Sequence, residues 1–189
     1  QNLDQPVPPE LGAWLLALGA GHLTGHTYAY VALGLDGLSV VDVTDPLAPV
    51  QVGFYQPPDG AIKKVTIAAG TPVTHIYAYA ADNYNGLRIL DVYTASDPVE
   101  IALFDIDGGS GAVDVAVAES RVRRKTYGYV VSPDHGLLIV DVTDPSAPVE
   151  TGRFRDVDPT GVVVAYGASP GDLFAYVAAQ NRLGSPVLF

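Results

Sequence analysis

Apolar and polar positions along this chain fall into short runs, each too brief for a helix and each closed by a turn signal. Runs of one kind are short and mostly apolar: Ala13 to Leu18, Ile62 to Ala68, Ala112 to Ala118 and Gly161 to Tyr166. A second kind sets aromatics at alternate positions: Tyr28 to Leu33, Tyr77 to Ala81, Tyr127 to Val131 and Phe174 to Ala178. A third kind reads GLSVVDV, GLRILDV and GLLIVDV from Gly37, Gly86 and Gly136. A fourth follows a proline turn: Val50 to Tyr55, Val99 to Phe104 and Val149 to Phe154. Branched and aromatic residues dominate, as strands prefer, and no stretch shows the period and length of a helix. The pattern predicts an all-β chain.

The four kinds of run recur in one order. The aspartates that close the third run, Asp42, Asp91 and Asp141, are spaced 49 and 50 residues apart. Turns follow at Thr44-Asp45-Pro46, Ser96-Asp97-Pro98 and Thr143-Asp144-Pro145. A repeat of about 40 to 50 residues with four strands is the signature of a propeller blade. The third strand sharpens this, because Leu38 and Val40 point one way and Val41 and Val43 the other. A strand that is apolar on both faces must be covered on both faces, as in stacked blades, whereas a two-sheet sandwich leaves one face polar. The expected architecture is therefore a β-propeller with blades of four antiparallel strands, in about four repeats of 47–50 residues, at 13–56, 61–106, 111–156 and 160–189. The last blade is incomplete, with Phe189 standing where the third strand's aspartate is expected. Residues 1–12, with Pro6, Pro8 and Pro9, read as an N-terminal extension or the remnant of a preceding blade.

The segments GLLIVDVTDPSAPVETG and GLSVVDVTDPLAPVQVG resemble the LVIVD repeat family. The second repeat departs from them by an insertion after Thr94 and by Ala102 in place of glycine. The resemblance implies propeller-forming repeats of bacterial and archaeal proteins, often exported. It implies no catalytic residues.

Charge narrows the partners. The formal net charge is −11, which opposes binding to nucleic-acid phosphates and to anionic membrane surfaces. No apolar run approaches the roughly 20 residues of a membrane helix, so no membrane insertion is expected. The chain has no cysteine, which removes disulfide scaffolds, thiolate metal sites and cysteine nucleophiles. It has no methionine either and begins at Gln1, as a processed chain would, so an extracellular, periplasmic or cell-surface location is the expectation.

Candidate chemistry concentrates in the loops. The fourth-to-first and second-to-third strand loops share one rim, where Asp36, Asp59, Asp82, Asp105, Asp107, Asp134 and Asp158 form an acidic mouth with His135. Carboxylate oxygens suit calcium, and Asp105-Ile-Asp107-Gly-Gly with Asp158 is the candidate metal set, although later ligands of a calcium loop are missing. No other cofactor is expected. The opposite rim carries Arg121, Arg123, Arg124 and Lys125, a candidate contact for an acidic neighbour. His22 and His26 are spaced as helical metal ligands, but no helix is predicted there. The repeated Asp42, Asp91 and Asp141 fit turn-pinning better than catalysis, because a catalytic residue is needed once and not in every blade. Gly167-Ala-Ser-Pro-Gly171 matches a nucleophile-elbow string, but lies between two strands.

The functional expectation is a non-catalytic binding or scaffolding propeller that meets a protein partner or ligand through its loop rims. Two alternatives stay open. One is a structural subunit or fragment completed by another chain or by further blades. The other is a cation-dependent enzyme with its site in the acidic channel mouth.

Overall fold

The computed structural model describes residues 15–20, 25–70, 75–106, 111–156, 158–169, 171–180 and 186–188, the first and last of these as strand backbone. The described residues hold 15 strands and no helix. β1 (Leu15–Ala20), β2 (Thr27–Ala32), β3 (Leu38–Asp42) and β4 (Val50–Tyr55) form the first sheet. β5 (Ile62–Ala69), β6 (Ile76–Asp82), β7 (Gly86–Asp91) and β8 (Val99–Asp105) form the second, and β9 (Asp114–Ser120), β10 (Lys125–Ser132), β11 (Gly136–Asp141) and β12 (Val149–Phe154) the third. β13 (Asp158–Tyr166), β14 (Leu173–Gln180) and β15 (Pro186–Leu188) make a three-stranded fourth. Every sheet is an antiparallel meander in chain order. The innermost strands β1, β5, β9 and β13 touch in succession, as in a propeller, and the described sheets do not close into a ring.

Packing follows from the alternation of side chains along each strand. One face carries the aromatic pair and faces the next sheet; we call it the trailing face. In the first sheet it presents Tyr30, Ala32, Leu38 and Val40, which pack on Ala78, Ala80 and Leu90 of the second. In the second sheet Tyr79, Ala81, Leu87 and Ile89 pack on Val130, Leu138 and Val140 of the third. In the third sheet Tyr127, Tyr129, Val131 and Leu137 pack on Val162 and Val177 of the fourth. On the second and third strands of these sheets the opposite, leading face is mostly small and branched, with Arg88 as its exception. Full burial of each leucine, isoleucine or valine here contributes about 1.5–3 kcal/mol, so these three interfaces dominate the stability of the chain.

Two repeated backbone features shape each blade. Pairing between the third and fourth strands shifts at Val40/Val41, Ile89/Leu90 and Ile139/Val140, the same place in three sheets. Such a bulge bends the outer strand and increases its twist. The glycines that open the third strands, Gly37, Gly86 and Gly136, all have positive φ, and a Cβ there would meet the carbonyl oxygen of Tyr55, Phe104 or Phe154 at 2.5 Å or less. Only glycine fits that turn and that contact.

The register corrects one expectation. Ala178 faces Leu188 as Ala32 faces Leu38. Leu188 therefore holds the place of Leu38, and the place of the repeated aspartate falls beyond Phe189 and not on it. No helix among the described residues is long and apolar enough to cross a membrane.

Candidate functional site

The repeated aspartates are local anchors. The Asp42 carboxylate accepts the Thr44 N–H at 2.9 Å, Asp91 accepts the Tyr93 N–H at 2.9 Å, and Asp141 accepts the Thr143 N–H at 3.0 Å. Each is also met by a basic side chain two residues ahead of the first aromatic of its blade. His26 Nδ1 lies 2.5 Å from Asp42, His75 Nδ1 lies 2.8 Å from Asp91, and Lys125 Nζ lies 2.5 Å from Asp141. His26 and His75 also stack on Tyr28 and Tyr77. These histidines complete a turn, which explains their recurrence without a metal; His22 lies outside the described residues. Hydrogen bonds from the Thr44 hydroxyl and N–H hold the Asp42 carboxyl below its ordinary range. Partial burial pushes Asp141 up, but hydrogen bonds from Lys125 and Thr143 outweigh it and leave its carboxyl lowered.

The acidic rim is less uniform than the sequence implies. Asp59, Asp105, Asp134 and Asp158 are exposed, while Asp36 and His135 are half-buried in their turns. Asp107 lies outside the described residues. Asp82 is the exception: it is wholly buried at the end of β6, and its carboxylate is engaged inside the fold. Among the described residues no group of three His, Cys, Asp or Glu side chains is gathered closely enough to hold a metal ion. Asp105 and Asp158 stand at the end of β8 and the start of β13.

Asp82 belongs to a buried network centred on Arg88, a residue the sequence reading passed over. Arg88 lies on the leading face of β7, where the other repeats have Ser39 and Leu138. Its Nε donates to Asp82 Oδ2 at 2.5 Å, one terminal nitrogen donates to Glu100 at 2.9 Å, and the other to the Asp59 carboxylate at 2.8 Å and to the Asp59 carbonyl. Tyr55 donates its hydroxyl to Glu100. Asp82 Oδ1 also accepts the N–H groups of Ala61 and Tyr84. Burial pushes the Asp82 carboxyl up, but these N–H groups, Arg88 and Asn85 together outweigh it and leave it lowered. Burial disfavours the charged guanidinium, yet its carboxylate partners raise Arg88 above its ordinary value. The signal was available: a lone arginine inside an apolar strand must be paired. A second latch joins three inner strands, with Asp114 held 2.6 Å from Lys64 and accepting the Val162 N–H at 2.9 Å.

The basic cluster proves to be the tip of the β9–β10 hairpin. Arg121, Arg123, Arg124 and Lys125 are all exposed there, and Arg121 lies 4.4 Å from the centre of the Tyr166 ring in the fourth sheet. Arg124 holds a left-handed backbone, φ 53°, with its N–H donating to the Ser120 carbonyl. Beneath the tip, between the third and fourth sheets, opens a cavity of about 700 Å³. It is lined by Arg123, Lys125, Tyr127, Tyr129, Ile139 and Leu173 among others, a size and mixture usual for a ligand pocket. Burial and the neighbouring Tyr127 and Tyr166 raise the Tyr129 phenol, so it stays a hydrogen-bond donor at neutral pH. The serine of the elbow-like string sits in a plain β13–β14 turn, where Gly167 donates to the Asp172 carbonyl.

The model of the LVIVD repeat matches this chain at residues 26–56, 72–106 and 111–156, which together cover more than half of it. No match is found among curated proteins. Among solved structures, a protein of Bifidobacterium bifidum s17 described as an exo-beta-1,3-galactanase superposes with a TM-score of 0.57 at 12% identity, covering 88% of this chain and 61% of its own. At that identity the likeness carries the fold alone, and the chain spans less than two thirds of the length of that structure. Three matched segments, each with the glycine-opened, aspartate-closed third strand, make the chain a member of the LVIVD repeat family.

Proposed function

We propose that this chain is a non-catalytic binding or scaffolding propeller module, of extracellular or cell-surface type, that takes an acidic partner on the basic β9–β10 tip and in the cavity below it. One observation carries the reading. In a chain of net charge −11, four of its ten basic residues sit together on one exposed hairpin tip above a cavity with tyrosine walls. The repeated polar residues, by contrast, are engaged in pinning turns, and a rigid scaffold leaves recognition to its loops. Clustered like charges at a tip favour an oppositely charged partner and make its capture depend on salt.

A fluorescently labelled oligoglutamate peptide tests this reading by anisotropy. Binding at low salt is expected, weakening as salt rises, and lost when Arg121, Arg123 and Arg124 are replaced together by alanine. An unaltered signal in that triple variant, or no binding by the native chain at low salt, would remove the tip from the proposed function.

A further inference from the structure

The turn that closes the third strand follows one rule in the first and third blades and breaks it in the second. In the first blade the Thr44 hydroxyl accepts the Thr27 N–H at 2.9 Å, and in the third the Thr143 hydroxyl accepts the Thr126 N–H at 3.1 Å. Each threonine thus caps the start of the neighbouring second strand. The counterparts in the second blade are Tyr93 and Ile76, since the Val92 N–H donates to the Ile76 carbonyl as Val43 does to Thr27 and Val142 to Thr126. Tyrosine carries no hydroxyl on its β carbon, so the Ile76 N–H goes without that cap. A donor deprived of its acceptor costs stability. Departures of that kind, where a chain breaks its own rule at a cost, concentrate at functional sites.

The exchange builds an aromatic cluster that the other described blades lack. The His75 ring stacks on Tyr77 with centroids 6.0 Å apart, and the Tyr93 ring leans against His75 at 5.5 Å and 44°. Tyr93 is 41% exposed and the His75 side chain 49%, so both rings reach solvent. The first blade has the His26–Tyr28 pair without a third ring, and the third blade has Lys125 in place of the imidazole. Carboxylates adjoin the cluster. Asp91 Oδ2 lies 2.8 Å from His75 Nδ1 and Asp91 Oδ1 accepts the Tyr93 N–H at 2.9 Å, so one carboxylate holds both residues. With the His75 proton on Nδ1, Nε2 is left to accept. Burial, helped by Asp91 and by Asp144 from the next blade's turn, raises the Tyr77 phenol, which sets both carboxylates near that ring.

Ring faces and carboxylates attract the same kind of ligand. The face of an aromatic ring is the negative end of its quadrupole and favours a cation lying over it. Carboxylates fixed beside the rings strengthen that preference, and a chain of net charge −11 draws cations toward its surface. We propose that the Tyr93–His75–Tyr77 cluster binds an organic cation, the guanidinium of an arginine side chain or a quaternary ammonium group, laid on the exposed rings beside Asp91. The site belongs to the second blade and uses neither the basic tip nor the cavity, so it is independent of the acidic-partner reading above.

NMR titration of the full chain, followed at the His75 ring signals, tests it. The cationic probes are acetyl-arginine amide and tetramethylammonium, and the neutral controls are acetyl-citrulline amide and a methyl glucoside. Saturable shifts at millimolar concentration are expected with at least one cation, the stronger of the two identifying a guanidinium or a quaternary ammonium source, and none with the neutral probes. Tyr93→Phe keeps the ring and should keep the response. Tyr93→Thr should lose it while melting at or above the native temperature, because threonine restores the cap used by the other two blades. That pairing separates a lost site from a lost fold. No saturable shift of the native chain with either cation would overturn the proposal. So would a neutral probe that binds as well as the cations, a folded Tyr93→Phe chain that no longer responds, or a Tyr93→Thr chain that still does.

Discussion

Replacement of Arg88 by leucine is the sharpest test of the buried network. Leucine fits the site, since Leu138 fills the same place one blade on and is wholly buried. The magnitude depends on which partner the arginine leaves behind. The Asp59 side chain is 73% exposed, so its pair is worth roughly 0–1 kcal/mol, and Glu100, at 26%, is screened to a lesser degree. Asp82 decides the outcome. Its side chain is 0% exposed beside an arginine at 1%, and a buried carboxylate deprived of its cation costs about 3–5 kcal/mol. Its N–H donors from Ala61 and Tyr84 remain, which places the expected loss toward the lower end of that range. For a chain of this length, each kcal/mol lowers Tm by roughly 2–4 °C, so about 6–12 °C is expected. Thermal melts followed by circular dichroism measure it. The pH dependence supplies a second check. In the native protein the Asp82 carboxyl is lowered, so its contribution is complete above the ordinary aspartate pKa of about 3.9 and is lost as pH falls through its depressed folded value. The gap between native and variant should therefore be widest near neutrality and narrow below about pH 4. An Arg88→Leu chain that melts within about 2 °C of native at pH 7, or a gap independent of pH, would refute the reasoning.

Three further outcomes follow from the same structure. Gly53→Ala places its Cβ 2.0 Å from the Ala95 carbonyl oxygen of the next sheet, whereas the equivalent Gly152→Ala meets nothing closer than 3.8 Å; the first should lower Tm markedly and the second leave it nearly unchanged. Asp91→Ala frees the Tyr93 N–H and the His75 ring together and should cost about 1 kcal/mol by urea unfolding, with Asp91→Asn recovering part of it. Arg124→Gly relieves the left-handed backbone at the hairpin tip and should stabilise the chain by about 1 kcal/mol in the same assay, while weakening any salt-dependent binding at the tip.

Much of the fold was legible because its determinants are local. Glycine, alternating apolar residues and a closing aspartate recur within a single repeat, and every sheet is a meander of neighbours in sequence, so periodicity alone located the strands. The strand bounds Val50–Tyr55 and Val149–Phe154 coincide with those expected, while the inner strands shift by one to three residues, as Ala112–Ala118 does to Asp114–Ser120. What escaped the sequence were relations between repeats. Asp82 reads as one more acid on a loop rim until Arg88 is seen six residues on, buried beside it and reaching across to Asp59 in the preceding loop. The basic tip was visible as a charge cluster, but the cavity beneath it depends on how the third and fourth sheets pack, which no spacing within one repeat encodes. The place of the repeated aspartate in the fourth blade was misjudged for a related reason: the β14–β15 register, and not the count of apolar residues, fixes it.

The contrast between trailing and leading faces gives the array a direction. The aromatic pair of each second strand looks one way along the row of blades and the smaller residues between them the other, so a duplicated blade would meet a like neighbour on both sides. Such a chain can lengthen by copying itself. Because each blade interacts chiefly with those beside it, cooperativity runs along the row as between links of a chain. The second and third sheets, each packed on both faces, should hold their protection from hydrogen exchange longest among links that are covered less fully.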